Sequence, residues 1–257
     1  MIDPGLRTPL VDSFRRGEVA RDVRLEAAQG AMAPRAVEQL AVLLILTEDA
    51  DPGIRETASA TLQRIPRASL EGLAARTDVP GEMRRWLEEQ GITPAATAPA
   101  SDEPLLDTGE PMPEVEPEEP AAVSQQLSSL SVMQRMKVAM RGTREQRSLL
   151  IRDPNRLVAS AVLSSPKLTE NEVEQFARMA NVTEEVLRVI GSNRSWMKNY
   201  NVALNLVRNP KSPIGQSLHL LNRLTEKDVK MLTSDRNIPE PLRIAARKKV
   251  SEKASTR

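Results

Sequence analysis

A chain of 257 residues, 40% of them apolar, can bury the core of one large domain or two ordinary ones. Aromatic side chains make up only 2%, namely Phe14, Phe176, Trp86, Trp196 and Tyr200, so the core must be built from Leu, Val, Ile, Met and Ala, which favour helix packing over sheets. With no cysteine and one histidine, His219, the chain excludes disulfides, thiolate catalysis, Cys-based zinc sites and His clusters, and its net charge of +1 hides an uneven distribution.

Met1-Ile2-Asp3-Pro4 lacks the basic stretch and following apolar run of a signal peptide. The most apolar run, Leu40 to Leu46, is far shorter than the roughly 20 residues that span a bilayer, and reads as a buried helix. A cytoplasmic protein with no membrane partner is the expectation.

Residues 1–93 read as short helices. Proline recurs where helices should begin, at Pro9, Pro34, Pro52, Pro66 and Pro80, because the first helical N–H has no intrahelical partner. Thr8 and Asp51 precede two of these prolines as capping residues. Val37, Leu40, Ala41 and Leu44 follow helical apolar spacing. Residues 94–123 then change in kind, with seven prolines, eight acids and no Lys or Arg. Such a segment buries too little apolar surface to offset the entropy of ordering it, so it reads as a disordered, acidic, Pro-rich linker. Its acids, especially Glu114, Glu116, Glu118 and Glu119, are tethered to a basic neighbour and could screen it.

Residues 124–257 carry 24 basic and 12 acidic side chains, a net of +12. Helix starts are expected at Asp153-Pro154, Ser212-Pro213, Pro239 and Pro241, and at capping boxes Ser131…Gln134 and Thr169…Glu172, with a similar signal at Thr225…Asp228. The basic helix 239–250 closes this half. No segment sustains a period of two, so no strand is expected.

Internal repetition organises both halves. Val23-Arg24-Leu25-Glu26-Ala27 is echoed by Ile54-Arg55-Glu56-Thr57-Ala58 after 31 residues, and more weakly by Met83-Arg84-Arg85-Trp86-Leu87 after 29 more. In the second half, Val158-Ala159 followed by Ser165-Pro166-Lys167 recurs 44 residues later as Val202-Ala203 followed by Asn209-Pro210-Lys211. The apolar–Arg–x–x–Ala helix and the Ser-Pro or Asn-Pro break resemble the α-helical repeat superfamily that includes HEAT-like repeats and the leucine-rich repeat variant family. Asp51–Gln63 and Tyr200–Leu221 carry the resemblance best. It implies an all-α fold of stacked helix pairs, an α-α superhelix with a curved face, and no fixed activity. The cysteine cluster of some variant-repeat proteins has no counterpart here. The expected organisation is two helical-repeat arrays, 1–93 and 124–257, joined by the 94–123 linker.

Two candidate sites stand out. Gly191 to Asn201 concentrates polar residues around Trp196 and Tyr200, four apart and so placed on one helix face; the pair reads either as a binding hot spot or as a wedge between repeats. The basic residues Arg188, Arg194, Lys198, Arg208, Lys211, Arg223, Lys227, Lys230 and Arg236 could line a surface for a phosphate backbone or an acidic protein segment, or be solvated charge without a partner. Asp153-Pro154-Asn155 and Asp235-Arg236-Asn237 are explained by turn chemistry, and His219 by a structural or surface role. No cofactor, metal or small-molecule substrate is indicated. The chain is expected to be a non-enzymatic scaffold that binds a protein partner through helical-repeat surfaces. The alternative is nucleic-acid binding by the basic C-terminal array, and an enzyme is the weakest reading.

Overall fold

A computed structural model describes residues 3–32, 34–108, 113 and 120–255. Helices account for 62% and no strand occurs among the described residues, so the all-α expectation holds. No described helix is long and apolar enough to cross a membrane. Contacts divide the chain into two compact units, Met1–Lys167 and Leu168–Arg257. The first holds α1 (Pro9–Arg15), α2 (Arg21–Ala28), α3 (Ala36–Leu46), α4 (Pro52–Arg64), α5 (Arg67–Ala74), α6 (Gly81–Glu89), α7 (Pro120–Ser129), α8 (Val132–Arg141), α9 (Arg144–Leu150) and α10 (Arg156–Leu163). The second holds α11 (Glu170–Arg178), α12 (Glu184–Ser192), a 3₁₀ turn (Trp196–Lys198), α13 (Tyr200–Arg208), α14 (Ile214–Leu221), α15 (Glu226–Leu232) and α16 (Glu240–Ser255).

The helix starts follow from capping chemistry. Thr8 and Asp51 cap α1 and α4 with proline in the first turn. Ser131 and Thr169 form full capping boxes, and Thr225 caps α15. Two expected caps shift. Asn155, not Asp153, caps α10, because Asp153 Oδ1 instead accepts the Asn155 N–H in a tight turn at 2.7 Å. Pro213 starts α14 without a side-chain cap, while Ser212 is buried and its hydroxyl has no hydrogen-bond partner.

Within the first unit several helices pack on a neighbour and a next-but-one neighbour: α3 on α1, α2 and α4, α2 also on α4, and α8 on α9 and α10, while α1 also packs on α10. The N-terminal repeat positions all point inward: Val23, Ile54 and Met83 are buried, as are Ala27, Ala58 and Leu87. The repeated arginine has a structural task. Arg24 donates to Val19 O, Arg55 to Asp49 O and Ala50 O, and Arg84 to Ala74 O and Arg76 O, each at 2.7–3.1 Å. Each guanidinium thus satisfies carbonyls of the connection that precedes its own helix, where the chain cannot satisfy them itself. The buried Arg147 repeats the device on Gly142 O, and Arg243 repeats it on Asp235 O in the second unit. Much of the arginine that composition alone assigns to a surface is therefore consumed in holding turns.

The second unit packs α11 on α12 and α13, α13 on α14, and α14 and α15 on α16. The 44-residue offset holds in burial: Val158 and Val202 are buried, as are Ala159 and Ala203. The break residues also match in role. Ser165 Oγ donates to Met140 O at 2.7 Å, and Asn209 Nδ2 donates to Ala177 O and Met179 O at 2.9 Å each. The resemblance implies helix pairs, but the stretch between the breaks at Pro166 and Pro210 contains three helices, α11, α12 and α13.

The linker expectation needs correcting where residues are described. Ala95 N donates to Glu71 O at 2.9 Å, Asp102 pairs with Arg76 at 2.6 Å, Leu105 is buried, and Asp107 pairs with Arg141. The composition of 94–123 does not reveal these partners, which lie far off in the sequence. Glu114, Glu116, Glu118 and Glu119 lie outside the described residues.

Helix α3 is buried along its whole length and carries two polar side chains, Glu38 and Gln39, into the core. Glu38 accepts a hydrogen bond from Ser164 Oγ at 3.1 Å, and the Thr8 and Ser164 hydroxyls favour its charged form less than burial disfavours it. Burial therefore raises its pKa, opposed by the nearby Arg35 and reinforced by Asp102. A carboxyl whose folded-state pKa is raised contributes its stability below its ordinary value near 4.5 and loses it as pH rises through the folded-state value. Glu38→Gln keeps an acceptor for Ser164 and removes the titration. We expect its urea midpoint to match the natural chain at pH 4 and to exceed it at pH 8. Parallel curves at both pH values would show that Glu38 is not desolvated in this way.

Candidate interaction surface of the C-terminal unit

The structure separates the two aromatic residues of the 191–201 stretch. Asn193 Oδ1 accepts from the N–H groups of Ser195 and Trp196, making a turn, and Asn199 Oδ1 accepts from Asn201 N to start a new helix. Trp196 therefore lies in the 3₁₀ turn, 7% exposed, whereas Tyr200 opens α13, 38% exposed. The two residues do not share a helix face, because Asn199 starts a new helix between them. The Trp196 ring is buried. Tyr200 donates its hydroxyl proton to Asp228 Oδ2 and accepts from Thr225 N at 3.1 Å. The Tyr200 bond first, and then the bond that Thr225 Oγ1 donates to the same Oδ2 at 2.7 Å, hold the Asp228 carboxyl below its ordinary pKa.

The basic candidates differ in freedom. Arg188 pairs with Glu184 one turn away at 2.5 Å. Arg223 donates to Met197 O at 2.6 Å. Arg208 is half-buried and reaches Asp228 at 3.4 Å. Arg194, Lys198, Lys211, Lys227, Lys230 and Arg236 are exposed. Lys227 and Lys230 lie on α15, whose Val229 and Leu232 face inward. Asp235 Oδ1 accepts from Asn237 N at 2.9 Å, as turn chemistry requires, and His219 is exposed on α14.

One groove takes in Arg208 from these candidates, together with residues that the sequence did not offer as binding candidates. It encloses about 550 Å³ and is lined by Arg178, Ala180, Asn205, Arg208, Asn209, Pro210 and Asn237. Arg178 and Arg208 are the last residues of α11 and α13, where a cation meets the negative end of the helix dipole. Asn209 is committed to the fold through its three bonds to Ala177 O, Met179 O and Lys211 N. Asn205 donates to Glu174 O at 3.3 Å. The sequence signal for Arg178 was its place as a helix-ending arginine, 30 residues before Arg208. Among the described residues no cluster of three or more His, Asp and Glu is placed to hold a metal ion. Comparisons of the chain with protein-family models, with curated proteins and with solved structures find no match.

Proposed function

We propose that this chain is a non-enzymatic interaction scaffold of the cytoplasm, binding an acidic segment of a protein partner through its helical-repeat surfaces. One arrangement carries the reading: two guanidinium groups, of Arg178 and Arg208, line the same groove as the carboxamides of Asn205 and Asn237. Guanidinium groups recognise carboxylates in a fork geometry, and carboxamides offer both donor and acceptor to a peptide backbone. The groove lies in the unit Leu168–Arg257, which carries 16 basic and 10 acidic residues. That charge would steer an acidic partner. Next-but-one helix packing and the recurring arginine-to-carbonyl contacts support a HEAT-like or leucine-rich repeat variant superhelix in each repeat array.

Nucleic acid is the second reading, favoured by the exposed Lys198, Lys211, Lys227 and Lys230. Base stacking gains little support, because Trp196 is buried and Tyr200 is tied to Asp228. Fluorescence titrations of the whole chain with a poly-glutamate peptide and with a short DNA duplex, at low and high salt, separate the two. We expect the peptide to bind, and Arg178→Glu to weaken it about tenfold. Tight duplex binding with a steep salt dependence and no peptide binding would move the assignment to nucleic acid.

A further inference from the structure

The first unit holds a length of its own chain as a groove holds a peptide. Gln39 sits on a helix with no solvent face, so its carboxamide needs partners. Its Nε2 donates to Met32 O at 3.3 Å and to Leu106 O at 2.7 Å, and its Oε1 accepts from Leu106 N at 2.9 Å, so both backbone groups of Leu106 meet one carboxamide. This exchange of both backbone groups is what one strand does to its neighbour, here performed by a side chain. Beside it, Leu105 is 6% exposed. Leu106 lies against Gly30, whose φ of +80° excludes most side chains and where an added Cβ would approach Leu106 Cδ2 to 3.0 Å. The two ends are held by charge: Asp102 lies between Arg76 at 2.6 Å and Arg35 at 3.6 Å, and Asp107 pairs with Arg141.

The contacts to residues 102–107 come from the turn after α2, from α3 and its N-cap Arg35, from the turn after α5 and from the end of α8, and the segment itself has no helix or strand. Its fit is incomplete. Thr108 Oγ1 is buried with no hydrogen-bond partner, and Asp107 remains half exposed. We propose that this groove is a second peptide-binding site, independent of the groove in the C-terminal unit. Its partner is a protein carrying an extended segment with two adjacent leucines bracketed by carboxylates. The chain's own Asp102–Asp107 occupies the site in competition. A tethered segment acts at an effective concentration up to the millimolar range, so it guards the groove although each contact is modest.

The test uses a fluorescein-labelled peptide of the sequence Ser101–Thr108, read by anisotropy. It is titrated into the full chain and into full chain carrying Asp102→Asn and Asp107→Asn, which loosens the internal segment without cutting into the core. We expect the double variant to bind the peptide at least about tenfold more tightly than the natural chain. A peptide N-methylated at the Leu106 amide lacks the donor to Gln39 and should lose that gain. The proposal is overturned if the double variant takes up no peptide, or takes up both peptides equally. It is also overturned if the double variant loses its helical circular dichroism, which would make the segment a fixed strap. Dimerisation of the double variant in sedimentation would assign the groove to a second copy of this chain and overturn the partner assignment.

Discussion

Ala58→Glu is expected to unfold the N-terminal helices cooperatively at far lower denaturant than the natural chain. Ala58 is 0% exposed on α4, one position in a series with Ala27 and Leu87 that packs inward. A carboxylate there has neither water nor a cation designed to meet it. An uncompensated buried charge costs about 3 to 5 kcal/mol, a large share of a domain's stability. The control is the same substitution two residues away. Ala60 is exposed on the same helix, and Ala60→Glu should change stability by no more than about 0.5 kcal/mol. Urea unfolding followed by circular dichroism gives both values. Similar midpoints for the two variants would show that the repeat register is misplaced.

That register was legible because it rests on local rules. A small apolar residue every turn and a capping residue before a proline are properties of a short window, and Ala27, Ala58, Val158 and Val202 are all buried as the repeats required. What escaped the sequence depends on distant partners. Gln39 directly precedes the apolar run Leu40 to Leu46, and nothing in the local sequence says its amide meets Leu106, 67 residues on. Asp102 and Asp107 looked like solvated linker charges until Arg76 and Arg141 were placed beside them. Helical spacing misled at Trp196 and Tyr200, because it assumes one continuous helix and Asn199 starts a new one. Of the candidate surface, Arg208 was read from charge, whereas Arg178, Asn205 and Asn237 join it only through the packing of α11 against α13 and the turn before α16.

The break positions offer the second large effect, and they test whether the 44-residue repeat is a shared design. Asn209→Ala should destabilise the C-terminal unit by about 2 to 4 kcal/mol, since it strips two carbonyls of their donor in a dry site. Ala177 O and Met179 O lie at the end of α11, beyond the reach of its own helical N–H groups, and Asn209 is 3% exposed. Ser165 occupies the matching position and makes one such bond, to Met140 O. Ser165→Ala should therefore cost about 1 kcal/mol, the scale of a single neutral hydrogen bond. The order of the two losses matters more than either magnitude, because the count of carbonyls left unsatisfied sets it. Midpoints of denaturant unfolding, compared at unchanged slope, would give that order. If Ser165→Ala proved the more damaging, hydrogen-bond satisfaction would not be what the Ser-Pro and Asn-Pro breaks have in common.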